Sequence, residues 1–204
     1  MEGSLNSVVS IVEGHGETTA FPQLLRRIAA WRTPEIHVDV QPPIRVKKDR
    51  FLNREEEFDR YLRLAGGKSG LDGWVVILLD ADDDCPAAHG PGILARARTV
   101  LPHRSVSVVL ANREFEAWFI GAAASLEGHR GLRIGAHDLR MDPEQPRDAK
   151  GWLRERMANR SYGETTDQPA FVARMDLQQA YDRCRSFRKL CGDWDRRFGA
   201  LQTQ

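Results

Sequence analysis

Short apolar runs alternate along the chain with longer stretches in which apolar residues recur every three or four positions. "SVVSIVEG" (7–14) is a β-branched run halted by Gly14, which predicts a buried strand. "ETTAFPQLLRRIAAW" (17–31) sets Phe21, Leu24, Leu25 and Ile28 at helical spacing, with Thr18 or Thr19 as the N-cap and Pro22 tolerable in the first turn. "EIHVDV" (35–40) puts Ile36, Val38 and Val40 on one face, a half-exposed strand. "QPPIRVKKDR" (41–50) reads as a loop, and "NREEEFDRYLRLAGG" (53–67) as a helix closed by glycines. "GWVVILLDADDD" (73–84) holds an uninterrupted apolar run from Trp74 to Leu79, as expected of a central strand covered on both faces. "GPGILARARTVLP" (90–102) is a helix that stops at Pro102; "RSVSVVLA" (104–111) is a fourth strand, and "NREFEAWFIGAAASL" (112–126) turns at once into an apolar helix.

Four alternations of strand and helix predict an α/β fold, a mainly parallel four-stranded Rossmann-like sheet flanked by helices. Residues 129–170 differ: they are rich in Gly, Pro, Asp and Arg, with one short helix at "KGWLRERMA" (150–158). A single last helix is predicted over "MDLQQAYDRCRSFRKLCGDWDRRF" (175–198), aligning Leu177, Tyr181, Cys184, Cys191, Trp194 and Phe198. The expected organisation is an α/β core over 1–128 and a loop-rich, helical C-terminal extension over 129–204 packed on it. The apolar stripe reads as intramolecular packing more readily than as a homodimer face.

Composition narrows the function classes. With 30 basic against 29 acidic residues the net charge is +1, so any nucleic-acid surface has to be a local patch. Cys85, Cys184 and Cys191 form no close pair, which argues against a disulfide framework or a structural zinc site. No apolar stretch approaches the ~18 residues of a membrane span and no leader pattern opens the chain. A cytoplasmic setting without membrane contact is expected.

The ends of three strands carry acid: Glu13 after the first, Asp80 and Asp82 after the third, Glu114 and Glu116 after the fourth. In an open parallel sheet, ligands lie outside the carboxyl ends of the strands. Carboxylates converging there repel one another unless a cation neutralises them or some are protonated. Oxygen ligands without His or Cys beside them suit Mg2+ or Mn2+. Asp80 and Asp82 are two apart, so on extended backbone they point the same way. Glu17, four after Glu13, falls near the first turn of a helix, where the dipole favours an anion. Taken singly, each of these acids reads as solvated loop. His15 in "EGHGE" is either a supporting neighbour of the site or solvent-facing, and "GHG" reads as a tight turn.

"VVSIVEGHGE" followed by "VVILLDADDD" resembles the Toprim domain of topoisomerases, primases and nucleases of the overcoming-lysogenization-defect type. Its pattern of a glutamate closing the first strand and a DxD closing the third matches Glu13, Asp80 and Asp82. More narrowly, "IVEGHGET", "LLDADDDCP", "LANREFEAWF" and "ARMD" resemble domain-of-unknown-function family 4276, a Toprim-like group. The resemblance implies metal-dependent phosphoryl transfer on nucleic acid. It gives Glu17 as a second glutamate near the first, Glu114 or Glu116 as the acid after the fourth strand, and Lys150 as an assisting lysine. It also implies an ATPase, which would be a separate polypeptide because the chain has no GxxxxGK[ST] motif.

The expected chemistry is phosphodiester hydrolysis with two cations about 3.5–4 Å apart. Glu13 and Glu17 would hold one, Asp82 and a fourth-strand glutamate the other, with Asp80 between. Arg45, Lys47, Lys48 and Arg113 are the candidate nucleic-acid contacts, though a solvated basic loop also explains residues 45–50. An anti-phage defence nuclease is the leading expectation; a non-catalytic module that binds metal and nucleic acid, or docks on the ATPase, is the alternative. A haloacid-dehalogenase-type phosphatase fits poorly, because its DxD closes the first strand.

Overall fold

The computed structural model describes residues 6–199. In chain order the elements are β1 (Ser7–Val12), α1 (Glu17–Arg32), β2 (Asp39–Val40), β3 (Ile44–Arg45), α2 (Lys48–Asn53), α3 (Glu55–Ser69), β4 (Trp74–Asp80), α4 (Pro86–Val100) and β5 (Ser105–Ala111). They continue with α5 (Ala117–Gly121), α6 (Ala123–Leu126), α7 (Ala149–Arg156), α8 (Glu164–Arg174), α9 (Leu177–Arg183) and α10 (Arg185–Phe198). The strands run in the order β2–β1–β4–β5 and every pairing is parallel, with β3 sharing the β2 edge of β1. Between β2 and β3 lie Pro42 and Pro43, whose missing N–H groups interrupt the edge strand. The register sets Ile11 level with Ile77, and Asp80 level with Ala111.

Period-two alternation sorts the sheet into two apolar faces. Val8, Val12, Trp74, Val76, Leu78, Val109 and Ala111 join one cluster with α1, α5, α8 and α10. Val9, Ile11, Val75, Ile77, Leu79, Val108 and Leu110 join the other, under α2, α3 and α4. Phe171, Phe187, Trp194 and Phe198 belong to the first cluster, so the C-terminal helices share the core of the sheet. Trp74 stacks edge-on to Trp194 and Phe198 at 5.9 and 5.7 Å.

Several local expectations are corrected. Ile36 and Val38 do not join the sheet; the Ile36 N–H bonds Thr33 O at 3.0 Å as the chain turns after α1, leaving only Asp39–Val40 as strand. The basic stretch 41–50 is not all loop, since it holds β3 and the start of α2, anchored by buried Phe51. Gly16, not Thr18 or Thr19, occupies the N-cap of α1. The apolar segment 112–126 becomes two short helices broken at Ala122. The last helix is two: Cys184 is extended (φ −111°, ψ 118°), and the Glu144 carboxylate accepts from Ser186 N at 2.9 Å and Oγ at 2.6 Å to start α10 afresh. Helix α8 stands where only loop was expected; Asp167 accepts from Gly163 N at 2.7 Å, and Phe171 and Val172 are fully buried. All three cysteines are free, with Cys184 and Cys191 buried. Among the described residues no helix is long and apolar enough to cross a membrane.

Candidate functional site

Strand β1 ends at Val12, and the chain turns through Glu13–Gly16 into α1. The Glu17 carboxylate folds back over this turn, accepting from Glu13 N at 3.2 Å and Gly14 N at 3.3 Å. A Cβ on Gly14 would stand 2.8 Å from Glu17 Oε1, so only glycine lets the carboxylate return this closely. Burial, reinforced by Glu116, raises the Glu17 carboxyl from 4.5 to about 7.

Asp80 closes β4 with the parity of Trp74, Val76 and Leu78, and so faces the α1 and α8 side of the sheet. Its Oδ1 accepts from Phe115 N at 2.8 Å, and its Oδ2 lies 4.0 Å from Lys150 Nζ. Burial pushes its carboxyl well above the ordinary value; Glu17 and then Glu116 add to the effect, while Lys150 opposes it. Glu116, fully buried before α5, accepts from Tyr162 Oη at 3.0 Å and Gln168 Nε2 at 2.7 Å, both on Oε1. Its Oε2 has no partner. Burial raises its carboxyl too, against Lys150 and the Gln168 bond. Burial opposes the charge on Lys150, but Glu116, Asp80, Glu114 and Glu164 together hold its ammonium above the ordinary range.

Glu13 and Asp82 belong to a different group. Glu13 has the parity of Val9 and Ile11 and meets α2, the opposite face from Asp80. Lys48 Nζ donates to Asp82 Oδ2 and Asp80 O, each at 2.6 Å. Burial raises the Glu13 carboxyl, Lys48 opposes, and Asp82 adds to the rise. Asp82 does not share a face with Asp80, because strand geometry ends at Asp80 and Asp82 adopts φ +52°. Arg113, at φ +66° on the neighbouring loop, donates to Asp82 O at 3.1 Å and Asp83 Oδ1 at 2.8 Å. Two non-glycine residues in the left-handed region on touching loops mark backbone strain beside the acids.

The six predicted acids thus divide into a buried trio of Glu17, Asp80 and Glu116 beneath Lys150, and an outer pair of Glu13 and Asp82 around Lys48. Glu114 serves another end, accepting from Lys150 N at 3.0 Å at the start of α7. The sequence reading assigns Glu13 and Glu17 to one ion, Asp82 and a fourth-strand glutamate to the other, and Asp80 between them. Glu13 stands near enough to add to the rise of the Glu17 carboxyl, while Asp82 turns toward Lys48. Lys48 lies inside the cluster, only 13 % exposed, and not on a solvated loop. Arg45 and Lys47 are exposed and, with Glu13, Lys48 and Arg50, line a cavity of about 330 Å³. His15 faces solvent. Sequence reading missed Tyr162, Glu164 and Gln168; the one available signal was the apolar pair Phe171–Val172 following an acid-rich turn.

Among the described residues, no three Asp, Glu, His or Cys side chains are gathered tightly enough to hold a metal ion as they stand. The donor chemistry nonetheless fits a divalent cation. Three buried carboxyls are all raised by burial, Asp80 and Glu17 further by acidic neighbours, and one buried carboxylate oxygen is unbonded.

A parallel sheet flanked by helices, with acids at the carboxyl ends of its strands, defines a Rossmann-like α/β protein. The chain belongs to the family described as Domain of unknown function (DUF4276), whose model matches residues 12–193, from the end of β1 into α10. No curated protein and no solved structure matches it.

Proposed function

We propose that this is a Toprim-like, Mg2+- or Mn2+-dependent nuclease, hydrolysing phosphodiester bonds in nucleic acid. In this reading it serves in the cytoplasm as an anti-phage effector alongside a separate ATPase. The observation that carries the reading is the buried Glu17–Asp80–Glu116 trio with the unpartnered Glu116 Oε2. Three carboxyl groups kept out of water at the carboxyl end of the sheet ionise only at a cost unless a cation joins them.

Glu17, Asp80 and Glu116 would hold the cation, with Glu13 and Asp82 able to contribute on the outer side. A divalent ion held there would supply positive charge to activate a water and to offset charge on phosphate oxygens. The chain's own groups do the rest. Lys150, also paired with Glu164 Oε1 at 3.3 Å, supplies a fixed positive charge above the trio. Arg45 and Lys47, exposed along the cavity beside Glu13, can engage backbone phosphates, the contacts that position a polyanion without reading its sequence. Arg113 braces the Asp82–Asp83 loop.

One observation favours a second reading, a non-catalytic module that binds metal and nucleic acid or docks on the ATPase. Lys48 and Lys150 already supply counter-charge to the acids without any metal. Incubation with supercoiled, linear and single-stranded DNA and with RNA, in Mg2+ and in Mn2+, separates the two. The nuclease reading expects EDTA-sensitive cleavage that Asp80→Ala and Glu13→Ala abolish. Cleavage retained in full by Asp80→Ala, or none under any condition despite metal binding, would overturn it.

A further inference from the structure

Tyr162 and Gln168 lie outside every motif of the sequence, yet both donate to the same oxygen of Glu116, at 3.0 and 2.7 Å. A carboxylate held by two donors on one oxygen cannot rotate without losing both. The orientation of its second, unbonded oxygen is therefore set from outside. The donors are themselves secured. Asp167 ties Gly163 N at 2.7 Å and Arg130 Nε at 2.5 Å, fixing the start of α8. The Tyr162 ring stacks on Phe171, centroids 6.2 Å apart and planes 22° apart. Helix α8 also lies directly against the turn carrying Glu17, where a Cβ on Gly16 would come within 2.2 Å of Gln168 Oε1 and 2.4 Å of Glu164 O.

We propose that Tyr162 and Gln168 are positioning residues of the cation centre: by holding Glu116 Oε1 they keep Oε2 free for the ion. The inference rests on the metal-binding reading above, and concerns how the site is built more than what it cuts. Groups that hydrogen-bond a metal ligand from behind set its orientation and basicity, and losing one costs about 10–100-fold in metal affinity.

The test measures Mn2+ affinity of the 204-residue chain by the electron-spin-resonance signal of free Mn2+, with thermal unfolding in EDTA alongside. Gln168→Leu is expected to weaken Mn2+ binding about tenfold or more, and Tyr162→Phe to weaken it in the same direction. Asp176→Ala removes the acceptor at the start of α9, away from Glu116 and its two donors, and is expected to lower Tm while leaving Mn2+ affinity unchanged. Wild-type affinity in both Gln168→Leu and Tyr162→Phe would overturn the proposal. So would a loss in Asp176→Ala as large as that in Gln168→Leu, since general destabilisation alone would then explain both. Should Gln168→Leu fail to fold, Tyr162→Phe, which removes a single hydroxyl, decides. Absence of Mn2+ binding by the wild-type protein would instead remove the metal reading, and this inference with it.

Discussion

Replacing Glu17 by glutamine is expected to stabilise the metal-free protein, and to do so only away from acid. The residue is 3 % exposed, and its carboxyl is raised from 4.5 to about 7, chiefly by burial. Between those two values the folded protein binds more protons than the unfolded chain, so stability falls as pH rises through the window. The contribution is fully present below about pH 4.5 and gone above about pH 7; its size is about 3 kcal/mol. Glutamine retains an acceptor for the N–H groups of Glu13 and Gly14 but carries no charge. Glu17→Gln should therefore match wild type near pH 4.5 and exceed it by about 3 kcal/mol at pH 8. For a chain of this length that corresponds to about 6–12 °C in Tm. Urea unfolding followed by tryptophan fluorescence, in EDTA from pH 4.5 to 8.5, reads the difference directly. Equal stability at pH 8, or a gain independent of pH, would refute the argument that a buried charge strains this turn.

Saturating Mg2+ is expected to raise the Tm of wild type and not of Asp80→Asn, as calorimetric scans with and without the ion would show. Gly16→Ala forces a methyl against Gln168 and the Glu164 carbonyl, and is expected to cost about 1–3 kcal/mol in urea unfolding, with amide exchange rising first in α8. Trp194→Ala, in a fully buried position packed on Trp74, is expected to cost about 3–5 kcal/mol. Asp176→Ala removes the acceptor for Gln178 N and Gln179 N at the start of α9, a loss of about 1 kcal/mol without effect on Mn2+ binding.

The three long strands β1, β4 and β5 were legible because each is an almost unbroken apolar run, whereas the two-residue β3 was read as loop. Trp74–Leu79 needed no context to be read as central, and it is buried along its whole length. The acids at the strand ends could be found on the same grounds. Their grouping could not, because it turns on where extended geometry stops. Asp80 and Asp82 share a face only if the strand continues, and the left-handed turn at Asp82 sends it across to Lys48. Helix α8 was hidden by Pro169 and by Thr165, Thr166 and Asp167, residues that favour turns. Its stability comes from burying Phe171 and Val172 beneath α1, a tertiary effect that local propensity does not carry. The break at Cys184 was likewise invisible, because it depends on Glu144, forty residues earlier, capping Ser186.

The contact of Gly16 with Gln168 has a consequence for synthesis. The strand ends bearing Glu13 and Asp80 emerge from the ribosome long before the segment that clasps Glu116 has been translated. A nascent chain therefore carries the acids of the sheet without their final constraint, and the centre takes its finished shape only once the last helices have closed over it.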